Sequence, residues 1–212
     1  MNTTLLSRPI LPFLALVTAA VVPLQAQTTS ASGVAAVVRT LTLSQQLAGA
    51  TLPTYGGVNT SSLDAASLPG LLSASALNST TTGMLDVQDV SAQTTSELGS
   101  LQILNGLISA QQVLAVASSY ANGATAGSDA VGSQLVGLVV AGQSISSMPA
   151  PNTRISLPGV GYVVLNEQTV TGNGSTASGI TVNMIHVVLQ NALTGLKTGE
   201  IILGSAKSAV SL

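Results

Sequence analysis

His186 is the only imidazole in the chain, so acid–base catalysis near neutral pH would have to run through it. Cys is absent, which removes thiolate nucleophiles and disulfide staples alike. The carboxylates are Asp64, Asp86, Asp89, Glu97, Asp129, Glu167 and Glu200, and none stands at a recognisable motif spacing from His186. Serine is abundant, but neither a G-x-S-x-G elbow nor an S-x-x-K pair occurs. On an extended strand, His186 falls in the series Ile180, Val182, Met184, His186, Val188, which is otherwise apolar. The opposite series, Thr181, Asn183, Ile185, Val187, Leu189, turns apolar midway. That setting predicts a packed histidine with one ring nitrogen satisfied, and no catalytic residue is assigned. The competing expectation is a secreted hydrolase using His186. It requires a Ser hydroxyl on one side of the ring and an acid behind it.

Metal chemistry is equally poorly supplied. One His and no Cys cannot make a typical zinc site. Asp86, Asp89 and Asp129 lie in turn-rich stretches where calcium could be held, but clustered carboxylates and the EF-hand spacing are missing, so solvated strand-edge charges are expected. Gly172–Gly179 lacks the Lys-Ser/Thr of a phosphate loop and reads as a turn. No metal, cofactor or cofactor-binding residue is expected. The sequons at Asn59, Asn78 and Asn173 are what chance produces in a chain this rich in Ser, Thr and Asn.

The elements that must carry these residues are strands. Charged residues make up 6% of the chain, far below the roughly 25% of an ordinary globular protein. Basic residues do not cluster, so the footprint of a nucleic-acid binder is missing. Trp is absent and the only Phe is Phe13, so a core must come from Val, Leu, Ile and Ala. Strands are expected at Val34–Leu43, Leu71–Asn78, Leu107–Ser118, Ser133–Ala141, Gly161–Asn166, Ile180–Leu189 and Glu200–Val210. Residues 49–62 read as a loop, and a short helix competes with strand around Leu43–Ala48. In 84–92, Leu85 and Val87 keep period two but Val90 breaks it, which suggests a β-bulge near Gln88-Asp89. Many short strands between Gly, Asn and Pro turns predict an all-β, antiparallel sandwich-like domain. A β-solenoid is the alternative, although no fixed repeat period is visible.

The opening 26 residues read as a signal peptide: Arg8, an apolar run from Ile10 to Leu24, then Ala26 before the cut. The run is too short for a comfortable membrane span, which needs about 20 residues. Cleavage would leave residues 27–212 as a single β-rich domain with no transmembrane segment.

Several blocks resemble the signature of the choice-of-anchor P proteins. They are Ala150-Pro151-Asn152-Thr153, Ile155 to Gly161, Val164 to Gln168, Ile180 to Asn183 with His186-Val187, and Gly199 to Ile202 with Gly204-Ser205-Ala206. Leu68 to Ala74 and Val140 to Gln143 also fit, so the likeness runs through residues 68–210 in scattered blocks. The resemblance implies a secreted bacterial surface domain of undefined biochemical role, tied to the cell by whichever C-terminal anchor its host uses. It carries over no catalytic residue. No sorting motif or apolar tail follows the last expected strand, so release or non-covalent retention is expected here. Physically, two prolines before Asn152 set an extended approach, and Pro158-Gly159 suits a type II turn that would fold Ile155–Leu157 against Val160–Leu165. Glu167 reads either as an acceptor for nearby turn backbone or as an exposed strand-end acid.

The expected function is therefore a non-enzymatic, exported surface, adhesion or matrix module. Its partners would be envelope or matrix components, protein or polysaccharide, with self-association left open. A glycan-binding module is the other expectation. It would gain if Tyr55, Tyr120 and Tyr162 shared one face.

Overall fold

The computed structural model describes residues 27–212, which are all-β with no helix. The expected signal peptide, residues 1–26, lies outside the described residues. In chain order the strands are β1 (Thr28–Thr40), β2 (Ser44–Thr51), β3 (Gly57–Leu68), β4 (Leu72–Leu85), β5 (Val90–Leu98), β6 (Leu101–Ile103), β7 (Ile108–Ala110) and β8 (Gln112–Ala121). They continue with β9 (Ala126–Asp129), β10 (Gln134–Val136), β11 (Val139–Val140), β12 (Gln143–Ser144), β13 (Thr153–Leu157), β14 (Gly161–Gly172), β15 (Ala177–Gln190) and β16 (Lys197–Ser211). A six-stranded sheet runs β13-β14-β15-β16-β1-β2. A ten-stranded sheet runs β10-β8-β5-β4-β6-β7-β11-β12, with β3 beside β4 and β9 beside β8. The ladders are antiparallel, and β1 and β16 pack on β4, β5 and β8 in a sandwich-like arrangement. Continuous antiparallel hairpins and two facing sheets are incompatible with a solenoid.

Several expected boundaries move once partners are present. Residues 43–48 are not a helix: Ser44–Gly49 pair with β1, so the neighbouring edge overrides local helix propensity. The expected loop at 49–62 is short, because β3 already starts at Gly57 to pair with β4. The period break at 86–89 is a hairpin turn instead of a bulge. Leu85 pairs with Val90, and the Asp86 amide donates to the Asp89 carbonyl at 2.9 Å. Leu107–Ser118 divides at Gln111, whose amide leaves the sheet path to donate to the Val136 carbonyl. Ser133–Ala141 divides at Gly137, which has a φ of 63°. The Pro158-Gly159 turn forms as expected: Leu157 pairs with Gly161, and the Val160 amide reaches the Leu157 carbonyl.

Side-chain alternation slips along one line across the six-stranded sheet. Ala48, Gly204 and Asn166 adopt φ of 50°, 61° and 50° on β2, β16 and β14. The ladders on either side place Ala35 of β1 and Met184 of β15 between them, with no shift of register there. A left-handed residue reverses the side taken by the residues after it. On β1 and β15, which have no left-handed residue at this line, the reversal shows as two consecutive buried residues, Ala35 with Ala36 and Met184 with Ile185.

The interior differs on the two sides of this line. Beyond it the sheets enclose large side chains such as Leu165, Ile185, Ile201, Leu203 and Ile108, all buried. Before it the sheets approach closely: a Cβ on Gly33 would lie 2.8 Å from Thr94 Cγ2 of the facing sheet. A layer of small hydroxyl residues fills that space. Ser208, Ser119, Ser128 and Ser178 form a chain of hydrogen bonds of 2.7–2.8 Å, and Thr94 donates to the Lys207 carbonyl. Buried hydroxyls are affordable because each finds a partner.

Candidate functional site

The slip decides where His186 points. Up to Met184, the even-numbered residues of β15 face inward; after it Ile185 and Val187 do, and His186 is turned to the outer face. This corrects the expectation that His186 belongs with Val182 and Met184. The strand period was interrupted by a backbone feature, and the apolar series through 188 is not one face.

On that outer face neighbouring strands supply the partners. Glu167 of β14 stands opposite Asn183, and its Oε2 accepts from Asn183 Nδ2 at 2.7 Å and faces His186 Nδ1 at 3.0 Å. His186 Nε2 lies 3.4 Å from Glu200 Oε2, outside hydrogen-bond geometry, and is buried with no other partner. Glu200 of β16 stands opposite Arg39 of β1, which donates to Oε1 at 2.6 Å, while Lys197 donates to Oε2 at 2.6 Å. The result is a chain of polar groups across four adjacent strands: Glu167, His186, Glu200 and Arg39. Of the two expectations for Glu167, neither holds: its donors are side chains on the adjacent strand.

Burial opposes ionisation of Glu200, but hydrogen bonds from Lys197 and Arg39, with attraction to Lys197 and His186, outweigh it. Its pKa falls from 4.5 to about 2. A depressed folded-state pKa contributes stability that is complete above the unfolded value and lost as pH falls through the folded one. Thermal unfolding should therefore show a loss of stability between about pH 5 and pH 2 that Glu200→Gln largely removes. At pH 7 the same substitution should cost about 1–3 kcal/mol, because two cations lose their acceptor. An unchanged acid limb in the variant would show that another group governs it.

This array does not assemble a nucleophile. Both imidazole nitrogens face carboxylates, and among the described residues the only hydrogen bond of the His186 ring is to Glu167. The calcium candidates stay apart from it. Asp86 and Asp89 close the β4–β5 turn, and Asp86 Oδ1 accepts from the Val87 amide. Asp129 accepts from the Val131 amide at the end of β9. Among the described residues no group of three His, Cys, Asp or Glu could hold a metal ion. Asn173 caps its own turn through the amides of Ser175, Thr176 and Ala177.

The tyrosines do not share a face. Tyr162 lies on the outer side of the six-stranded sheet under Arg154, whose guanidinium is 3.7 Å from the ring centroid. Tyr120 lies on the outer side of the ten-stranded sheet, and Tyr55 in the β2–β3 loop. No helix among the described residues is long and apolar enough to cross a membrane. No protein-family model matches the chain, and no curated protein or solved structure matches it at a significant level.

Proposed function

We propose that this chain is a non-enzymatic module of the cell surface or extracellular matrix, exported by its first 26 residues and acting in adhesion or surface structure. The observation that carries this reading is the setting of His186. The only imidazole is held between Glu167 and Glu200 in an array that spends its carboxylates on neighbouring cations and an amide. A hydrolase of the Ser-His type, the one the sequence left open, would need a hydroxyl where one of those carboxylates stands. The Ser, Thr and Asn surface, the signal-like opening and the resemblance to choice-of-anchor P proteins support the same reading, with envelope or matrix protein or polysaccharide as partner.

His186→Gln should leave surface binding within about twofold of the parent while lowering stability by about 1–2 kcal/mol, since the array loses a central member. Abolished function in a folded variant would return the hydrolase reading. Export has its own test. The protein recovered outside the cytoplasm should begin at Gln27 by intact-mass spectrometry, and a product retaining Met1 would refute cleavage.

A further inference from the structure

The outer face of the ten-stranded sheet carries a groove of about 560 Å³ that the charge array does not reach. Two cross-strand rows build it. One runs Met84, Ser91, Tyr120 and the other Val58, Thr82, Gln93, Ser118, and the rows continue to Gly127 and Asp129 of β9 beyond the groove's lining. Strands lie about 4.8 Å apart, so each row offers a hydroxyl, amide or apolar group at that regular step. Tyr120 is 48% exposed, and unlike Tyr55 in its loop it stands on a strand with a specific support. A Cβ on Gly127 would lie 2.7, 2.8 and 2.8 Å from the ring Cε1, Cζ and Oη. Such nearly equal distances to three bonded atoms put that position out of the ring plane, above its hydroxyl-bearing edge. Gly127 thus lets the hydroxyl end of the ring lie against β9, while about half of the residue stays open to solvent. Beside it Gln93 Nε2 donates to Ser118 Oγ at 3.2 Å, leaving the amide oxygen and the serine O–H free.

Charge narrows the ligand. Asp64, Glu97 and Asp129 lie on strands of this sheet and Asp86 and Asp89 in its β4–β5 turn, whereas Arg39, Arg154, Lys197 and Lys207 all lie on the other sheet. An anionic ligand would be repelled. A flat ring face attracts polarised C–H groups, and the flanking amide, hydroxyls and Asp129 suit a ligand dense in hydroxyls. We propose that this groove binds a neutral polysaccharide chain, with one sugar ring stacked on Tyr120 and its neighbours hydrogen-bonded by Gln93, Ser118 and Asp129. The proposal rests on the reading of the chain as a non-enzymatic interaction module and names its ligand class.

The test is calorimetric titration of residues 27–212, purified after export, with neutral hexasaccharides (cellohexaose, laminarihexaose, mannohexaose) and with hexagalacturonate. At least one neutral hexasaccharide should bind below about 5 mM, and hexagalacturonate at least tenfold more weakly. Tyr120→Ala should weaken binding at least tenfold, Tyr120→Phe should stay within about threefold, and Tyr162→Ala on the opposite sheet should have no effect. Gly127→Ala should reproduce part of the Tyr120→Ala loss by lifting the ring. The proposal is overturned if no neutral hexasaccharide binds, if hexagalacturonate binds as well, or if folded Tyr120→Ala binds like the parent. Chromatography of the titrated sugars separates the two readings. Cleaved sugar would sink the non-enzymatic assignment, whereas intact, unbound sugar sinks only the groove.

Discussion

Val182→Asp is expected to remove most of the folding stability of residues 27–212. Val182 is fully buried, on the inward face of β15 before the slip, opposite Ala206 and within the large apolar core cluster. A carboxylate there has no cation within the sandwich, because Arg39, Arg154, Lys197 and Lys207 are all outside it. Removing a charge from water without a partner costs several kcal/mol. A whole domain holds only about 5–15 kcal/mol in reserve. Val182→Ala, which leaves a small cavity and no charge, should cost only about 2 kcal/mol. Urea denaturation of both variants reads the difference directly. A Val182→Asp midpoint close to that of Val182→Ala would mean that the site admits water.

Gly204→Val should be the second large effect, and for a different reason. Gly204 has a φ of 61° in the middle of β16, and a Cβ there would lie 2.8 Å from Val113 Cγ1 and 3.4 Å from Met184 Cβ. A β-branched residue would meet backbone strain of about 1–3 kcal/mol and overpacking of similar size. A total loss of about 2–5 kcal/mol is expected, measured as a fall in the denaturation midpoint. Ala48 occupies the same left-handed conformation two strands away, at the sheet edge and half-buried. There the expected sign reverses. Ala48→Gly should leave stability unchanged or raise it by up to about 1 kcal/mol, because it relieves a conformation that glycine adopts freely. The pair of measurements tests whether the slip line is a built feature of the sheet. If Gly204→Val cost less than about 1 kcal/mol, β16 could lose its left-handed residue without penalty.

The charge array and the groove beside Tyr120 lie on opposite outer faces, so their variants should act independently. Glu200→Gln belongs to acid stability and Tyr120→Ala to binding. The six-stranded sheet carries Arg39, Arg154, Lys197, Lys207, Glu167 and Glu200, whereas the outer face of the ten-stranded sheet is built mostly of Ser, Thr and Gln that meet water directly. The same small polar residues that keep that outer face hydrated also fill the closely spaced half of the interior, where Ser119, Ser128, Ser178 and Ser208 satisfy one another. Composition therefore serves two ends here, and burial, not residue type, separates them.

Alternating Val, Ile and Ala between Gly, Asn and Pro turns is a local signal, and it determined the all-β class, β15, β16 and the Pro158-Gly159 hairpin. Turn chemistry needs only neighbours in the chain: Gly172-Asn173-Gly174 can take positive φ, and Asn173 caps the amides that follow it. Leu43–Ala48 is locally ambiguous because its helix-forming residues become a strand only when β1 offers an edge. The Asp86–Asp89 turn was mistaken for a bulge because a period break looks alike whether the chain bends or reverses. The face taken by His186 was beyond local reading. Asn166 and Gly204 are residue types that tolerate the left-handed conformation, but Ala35 and Met184, which continue the slip on β1 and β15, bear no sequence mark of it. Likewise, Glu167, Glu200 and Arg39 meet His186 only through the registers of β14, β15, β16 and β1, set by burial of each strand's inner side chains against the opposite sheet. Sequence carries the period of each strand; only packing between strands sets the phase, and the phase is what assembles a site.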